Sequence, residues 1–382
     1  MKLCNIKNIL LITHNDLSCQ AGDVTLICRR ANEMYNKYDI RTNCIIRGNH
    51  KLPTHNIDGL SFSLCNDDNI YKYIKDNKPD LIIIYGIMSF QIINNIKSIG
   101  FEGKIYLDIQ GVPEEMIDFE SLHKKILVYP KYFIKKCILK KYINLVDGVF
   151  VVTDEMEKYC RKLLKRNKKI KFLKIRCGLT GKIEIHDRKR IREDIRKKLK
   201  IENKNVYVFS GYRKPWQKID DIIDVFKKID QKDLNAYFCF FCNTDENFEE
   251  KIKKCFPKKN YLIKFLNSEE YFDYLISCDV GFMIRDYVTT NKVAFPNKFS
   301  DYLNSGLLVC INDAVTEPFL IAKKYDLKLI NYRNKDNDIE KTLFLINERN
   351  NSLEKYYEKC NKIIDEELIY SNQLSRIGGK EL

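Results

Sequence analysis

The chain has 382 residues, 45% of them apolar, which leaves ample material for two buried cores and excludes a disordered or fibrous protein. Lysine and arginine number 67 against 52 acidic residues, a formal net charge of +15 that points to an anionic partner: a phosphate-bearing substrate, a membrane surface or nucleic acid. A lysine-rich coding bias would give the same excess. No apolar run approaches the ~20 residues of a membrane span, no secretory leader is expected, and the scattered cysteines fit a reduced cytoplasmic setting better than a disulfide scaffold.

Apolar runs alternate with amphipathic helical patterns almost from end to end, the signature of parallel α/β sheets. In the first half, strands are predicted at 8–13, 40–46, 80–85, 104–108, 148–152 and 170–175. The first runs into HNDLSCQAGDVT (14–25), where Gly22 either lets a sugar or phosphate approach the backbone or is a plain turn glycine. Residues 121–145 carry Lys124, Lys125, Lys131, Lys135, Lys136, Lys140 and Lys141 with no acidic residue. Ile126, Leu127, Phe133, Ile134 and Leu139 interleave with them. Such a basic amphipathic helix can lie on an anionic membrane surface, or it packs on a core and leaves a solvated lysine face. Pro130 is expected to break it in two.

Residues 178–204 are rich in charge and poor in large apolar side chains, so the domain boundary is placed near residue 185. The expected division is 1–185, 186–350, and a helical tail 351–382 that returns to the first domain. The second half restarts the pattern, with strands predicted at 205–209, 236–242, 261–266, 280–284 and 307–311. After the first of these comes Ser-Gly-Tyr-Arg-Lys-Pro-Trp-Gln-Lys (210–218), in which Trp216 either covers a base or sugar face or caps the sheet. The Cys239-x-x-Cys242 pair falls inside a predicted buried strand and reads as packing rather than as zinc or redox chemistry.

The richest stretch is 279–311, DVGFMIRDYVTTNKVAFPNKFSDYLNSGLLVCI. A strand ends in Arg285, a polar loop follows, and a short helix opens at Pro296 and closes at Gly306. Phe299, Tyr302 and Leu303 share a packing face, while Lys298, Asp301 and Ser305 follow one another on a different stripe. A cation at a helix N-terminus with an arginine across a loop makes a site for a diphosphate. A carboxylate one turn further on can take hydroxyl hydrogen bonds from a ribose.

The run Pro296-Asn297-Lys298-Phe299-Ser300-Asp301-Tyr302-Leu303, five residues before Gly306 at Asp301, resembles the nucleotide-sugar site of retaining family 4 glycosyltransferases. It is closest to the subset that reads Pro-x-Lys-Phe-x-Glu-Tyr-Leu. The first glutamate of the usual two-glutamate pattern falls on Val293. The resemblance implies a GT-B fold, two doubly wound parallel-sheet domains facing across a cleft. It also implies transfer of a sugar from a UDP- or GDP-type donor to a glycan or lipid-linked saccharide, with retention, in polysaccharide or glycoconjugate synthesis. Arg213, Lys218, Arg285 and Lys298 would neutralise the diphosphate, and Asp301, Asn297, Ser305 and Gly211 would hold the donor. On the acceptor side Gly22 and Gln110 are implied, Gln110 standing where relatives place a histidine in Asp-x-His-Gly. No metal, cofactor or nucleic acid is expected. Two other readings are an epimerase or inverting transferase using His14 or Asp16 as base, and a basic nucleic-acid-binding protein.

Overall fold

A computed structural model of the chain describes residues 2, 5–17, 22–48, 50–53, 57–166, 168–267, 269–331 and 337–378. The chain divides into two compact units. Unit 1 is Met1–Thr180 with Val293–Phe295 and Glu367–Leu382; unit 2 is Gly181–Lys292 with Pro296–Glu366.

Unit 1 holds a seven-stranded parallel sheet: β1 (Asn8–Thr13), β2 (Arg41–Arg47), β3 (Leu60–Cys65), β4 (Leu81–Tyr85), β5 (Lys104–Ile109), β6 (Gly148–Val151) and β7 (Lys171–Lys174). Their order is β3-β2-β1-β4-β5-β6-β7, so the winding reverses between β1 and β4. Continuous runs such as Leu-Ile-Ile-Ile-Tyr in β4 are buried at every position, as strands covered by helices on both faces require. Unit 2 holds β8 (Asn205–Ser210), β9 (Ala236–Phe241), β10 (Tyr261–Ile263), β11 (Val280–Met283), β12 (Leu308–Ile311) and β13 (Leu329–Asn331), ordered β10-β9-β8-β11-β12-β13 and again parallel. Its reversal lies between β8 and β11. Ring contacts among Tyr207, Phe226, Phe238, Phe240, Phe256 and Phe282 fill the core beneath.

Two sequence expectations are corrected. Strands β3 and β13 were not foreseen, because β3 is a half-exposed edge strand of mixed polarity and β13 spans only three residues. Most of the charged segment before β8 forms the Ile185–Leu199 helix of unit 2, whose Arg188, Arg192 and Arg196 are buried at four-residue spacing. Pro130 does not divide its helix, which runs unbroken over Leu122–Tyr142. The last turns are shared out: Leu353–Ile363 belongs to unit 2, while Tyr370–Gly378 packs into unit 1.

Candidate functional site

In doubly wound sheets the ligand crevice lies beyond the carboxyl ends of the strands where the order reverses. In unit 2 that point is the end of β8 (Ser210, Gly211) beside the end of β11 (Ile284, Arg285), and the Asn297–Asn304 helix is built against it. Pro296 caps this helix from one residue outside, with φ −67 and ψ 131. The helix stops in a Schellman turn: Gly306 N donates to Leu303 O at 3.0 Å and Leu307 N to Tyr302 O at 2.9 Å, with Gly306 at φ +71. Phe299, Tyr302 and Leu303 are fully buried. Gly281 in β11 admits the Tyr302 ring so closely that a Cβ there would lie 2.5 Å from it. Tyr302 is thus held near the strand, its hydroxyl donating to Phe282 O at 3.3 Å and accepting from Ser210 Oγ at 3.3 Å.

This packing turns Lys298 inward, to 8% exposure, across from Arg285 at 5%. Lys298 Nζ lies 4.2 Å from the Phe209 ring centre and donates to Gln217 Oε1 at 2.7 Å. Its stem passes Gly211, φ +105, where a Cβ would stand 2.9 Å from Lys298 Cε. Arg285 donates from Nη1 to the Trp216 carbonyl. Its backbone is clamped on both sides by Asn312, whose Oδ1 accepts from Arg285 N at 3.1 Å and whose Nδ2 donates to Arg285 O at 2.7 Å. Among the described residues neither cation forms an ion pair. Burial, with Arg285 as a like-charged neighbour, pushes the Lys298 pKa well below its usual value; the weaker pull of Cys242 and Asp301 does not offset it. Burial lowers that of Arg285 to about 10. Two desolvated cations held by neutral acceptors from one turn, Pro215–Gln217, form a site that an anion would complete.

The other donor-side residues are placed differently. Asp301 is buried one turn beyond Lys298, and Ser305 Oγ is buried with no hydrogen-bond partner among the described residues. Asn297 is the first helical residue and half-buried. Arg213 is committed to the neighbouring loop: it pairs with Asp245, donates from Nε to Asn243 O at 2.8 Å and lies 4.5 Å over the Phe248 ring. Lys218, at φ +53, sits between Asp221 (2.8 Å) and Asp286 (3.1 Å). Sequence reasoning did not single out Gln217 or Asn312. Asn312 had a signal, a polar residue directly after the buried run of β12.

In unit 1 the reversal lies between β1 and β4. There His14 meets His50 edge-on at 6.2 Å, His50 Nδ1 is 4.0 Å from Asp16 Oδ1, and Ser89 Oγ accepts from His14 N at 2.8 Å. Gly22 opens the Gly22–Tyr38 helix, and residues 18–21 of the preceding turn lie outside the described residues. Gln110 points its amide back at Asp108, 3.1 Å away, which also accepts from Arg30 at 2.8 Å. Asp108 is therefore a buried anchor for both.

No protein-family model matches the chain, and no curated protein is similar to it in sequence. Solved structures are similar in fold. Sucrose-phosphate synthase from Thermosynechococcus elongatus superposes with a TM-score of 0.74 at 11% identity, over 97% of each chain. HepE from Anabaena, in complex with UDP, gives 0.70 at 8% identity over 97% of this chain and 98% of HepE. The trehalose-6-phosphate synthase OtsA gives 0.65 at 9% identity over 98% and 100%. Further HepE structures hold UDP with glucose, and UDP-glucose. Together these likenesses establish the GT-B fold expected from the sequence.

Proposed function

We propose that the chain is a glycosyltransferase that takes its sugar from a nucleoside diphosphate donor. The observation that carries this reading is the pair Lys298 and Arg285, buried at the carboxyl ends of β8 and β11 with no ion pair among the described residues. Donor diphosphate would replace the neutral acceptors Gln217 Oε1 and Trp216 O around the two cations. Asp301 would accept from ribose hydroxyls, Ser305 Oγ and the Asn297 amide would add hydrogen bonds, and Gly211 leaves the phosphates room beside the backbone. The solved structures of the same fold with UDP and UDP-glucose support this choice of ligand class.

In the transfer, the bond between the anomeric carbon and the diphosphate oxygen breaks as the acceptor hydroxyl oxygen bonds to that carbon. The leaving diphosphate gains negative charge, so buried cations in a dry site lower the barrier by several kcal/mol. With retention, the acceptor oxygen enters from the face the diphosphate leaves, and its proton passes to a diphosphate oxygen. The acceptor is a glycan or lipid-linked saccharide, met by unit 1 near Gln110 and Gly22. Arg213 and Lys218, already paired with carboxylates, would act on the donor only after releasing those partners.

The test is thermal stabilisation of the purified protein by UDP, GDP, CMP and ADP and their sugar conjugates, alongside Lys298→Ala. Ligand at a hundred times its Kd adds about 2.7 kcal/mol. Stabilisation by one nucleoside diphosphate that vanishes in the variant supports the reading. Well-folded protein that responds to no nucleotide overturns it.

A further inference from the structure

The Leu122–Tyr142 helix has two unlike halves. Its second half is seated in unit 1: Tyr132, Ile138, Leu139 and Tyr142 are buried. Glu114 accepts from Lys136 Nζ at 2.9 Å and Tyr159 OH at 2.6 Å, and Asn94 Nδ2 donates to Tyr142 OH at 3.1 Å. The first half stands open. Leu122, Ile126 and Leu127 are 74–79% exposed, and Tyr129, Phe133 and Ile134 are more than half exposed.

Leu122, Ile126, Tyr129 and Phe133 recur at i, i+4, i+7 and i+11, one continuous stripe along the helix. Single exposed apolar residues are ordinary, but a contiguous stripe of this size marks a surface that is covered in use. The chemistry around it selects the cover. Lys124, Lys125 and Lys131 lie among the apolar residues, Lys135, Lys140 and Lys141 follow, and no acidic residue occurs from 121 to 145. An anionic bilayer offers acyl chains to the stripe and phosphates to the lysines at one surface, with tyrosine at the level of the headgroups. No helix among the described residues is long and apolar enough to cross the membrane, so the contact lies in the interface plane. As the crossover from β5 to the parallel strand β6, the helix begins at the carboxyl end of the sheet, where this fold receives ligands.

We infer that the first half of this helix docks unit 1 on an anionic lipid surface, its stripe lying at the boundary between headgroups and acyl chains. Docking requires no donor and does not depend on the proposed reaction. It does set the ligand-binding end of the unit 1 sheet at the height where a lipid-carried acceptor would be presented.

The test uses the full chain with vesicles of phosphatidylcholine alone or with 30% phosphatidylglycerol. Sedimentation with the anionic vesicles at 0.1 M salt is expected to be at least about tenfold tighter than with neutral ones, and to weaken at 1 M salt as the screening length falls from about 10 to about 3 Å. Ile126→Glu/Leu127→Glu and Lys124→Glu/Lys125→Glu/Lys131→Glu should each lose about tenfold or more while keeping the thermal midpoint, since the altered side chains are exposed or only partly covered. Emission from Phe133→Trp should shift to the blue only with anionic vesicles. Wild-type protein left in the supernatant with anionic vesicles overturns the inference. So does a dimer in solution that Ile126→Glu dissociates, since the stripe would then belong to a second copy. Nucleotide stabilisation measured on the same proteins should be equal throughout, and its absence from all of them counts against the transferase reading alone.

Discussion

One strand of unit 2 carries buried charge at both ends, in opposite arrangements. Just before β11, Asp279 is fully buried and surrounded by arginines: Arg192 pairs with Oδ1, Arg349 reaches Oδ1 at 3.0 Å and Arg196 reaches Oδ2 at 3.2 Å, while Val206 N donates to Oδ2 at 2.8 Å. The spare guanidinium protons go to carbonyls. Arg192 donates to Cys278 O at 2.8 Å, and Arg349 donates to Gly306 O from Nε at 2.9 Å and Nη2 at 2.7 Å. Just after β11, Arg285 and the neighbouring Lys298 are nearly as deeply buried and form no ion pair among the described residues. The first arrangement is closed and holds β8, β11 and two helices together. The second is left open, and on the proposed reading a bound anion would offset its electrostatic cost. A buried cation whose counter-ion is already part of the fold, as at Asp279, is therefore no candidate for a ligand site.

The largest effect that sharpens this comparison comes from the closed end. Asp279→Ala leaves three guanidiniums without their carboxylate and should cost roughly 3–5 kcal/mol in urea unfolding. Burial alone would raise the Asp279 pKa, but the three arginines outweigh it and hold the carboxyl far below its usual 3.8. Its contribution is therefore complete above the ordinary carboxylate range and lost only as pH falls through that depressed value.

At the open end the signs reverse. Lys298→Met should weaken binding of a nucleoside diphosphate by about 2 kcal/mol or more, read by titration calorimetry, while leaving the free protein as stable as wild type or more so. The pH dependence follows from its lowered pKa. Between that value and the usual 10.5, the unfolded chain binds more protons than the native state, so wild-type stability rises with pH across this window. Lys298→Met should flatten that slope. Donor affinity should move the other way, falling as pH rises, because the diphosphate prefers the charged lysine.

Gly211→Ala tests the space between the two. With φ at +105 and Lys298 Cε at 2.9 Å from the new Cβ, it should cost about 1–3 kcal/mol of stability and displace the ammonium, so affinity falls as well. The smallest effect is expected from Lys218→Ala. Its partners Asp221 and Asp286 are about half exposed, and losing such pairs changes stability by about 0–1 kcal/mol.

The fold was legible because parallel strands buried on both faces read as unbroken apolar runs, and β1, β4, β8 and β12 are of that kind. The helix at the open end was legible for local reasons: a proline before it, a glycine after it, and helical spacing that separates Phe299, Tyr302 and Leu303 from Lys298 and Asp301. What the sequence hid is non-local. Arg192 and Arg196 look like surface charge until Asp279, more than eighty residues away, is brought to them. Arg213 and Lys218 look as available as Lys298 until Asp245 and Asp286 close on them. A carbonyl acceptor such as Trp216 O leaves no trace in residue identity at all.

The Tyr370–Gly378 helix sets an order of events during synthesis. Tyr370, Leu374 and Ile377 share one cluster with Ile6, Ile9, Tyr106 and Phe150, and the backbone at Gly178 and Arg176 is bonded to Tyr370 OH at 2.9 Å and Gln373 Oε1 at 2.7 Å. A nascent chain that has emerged through Thr180 lacks these side chains and cannot finish its first unit. Every strand of unit 2 is translated before that gap closes. Completion of unit 1 therefore follows synthesis of unit 2, and a chain cut short before residue 370 would leave the cluster around Ile6, Ile9, Tyr106 and Phe150 without one of its walls.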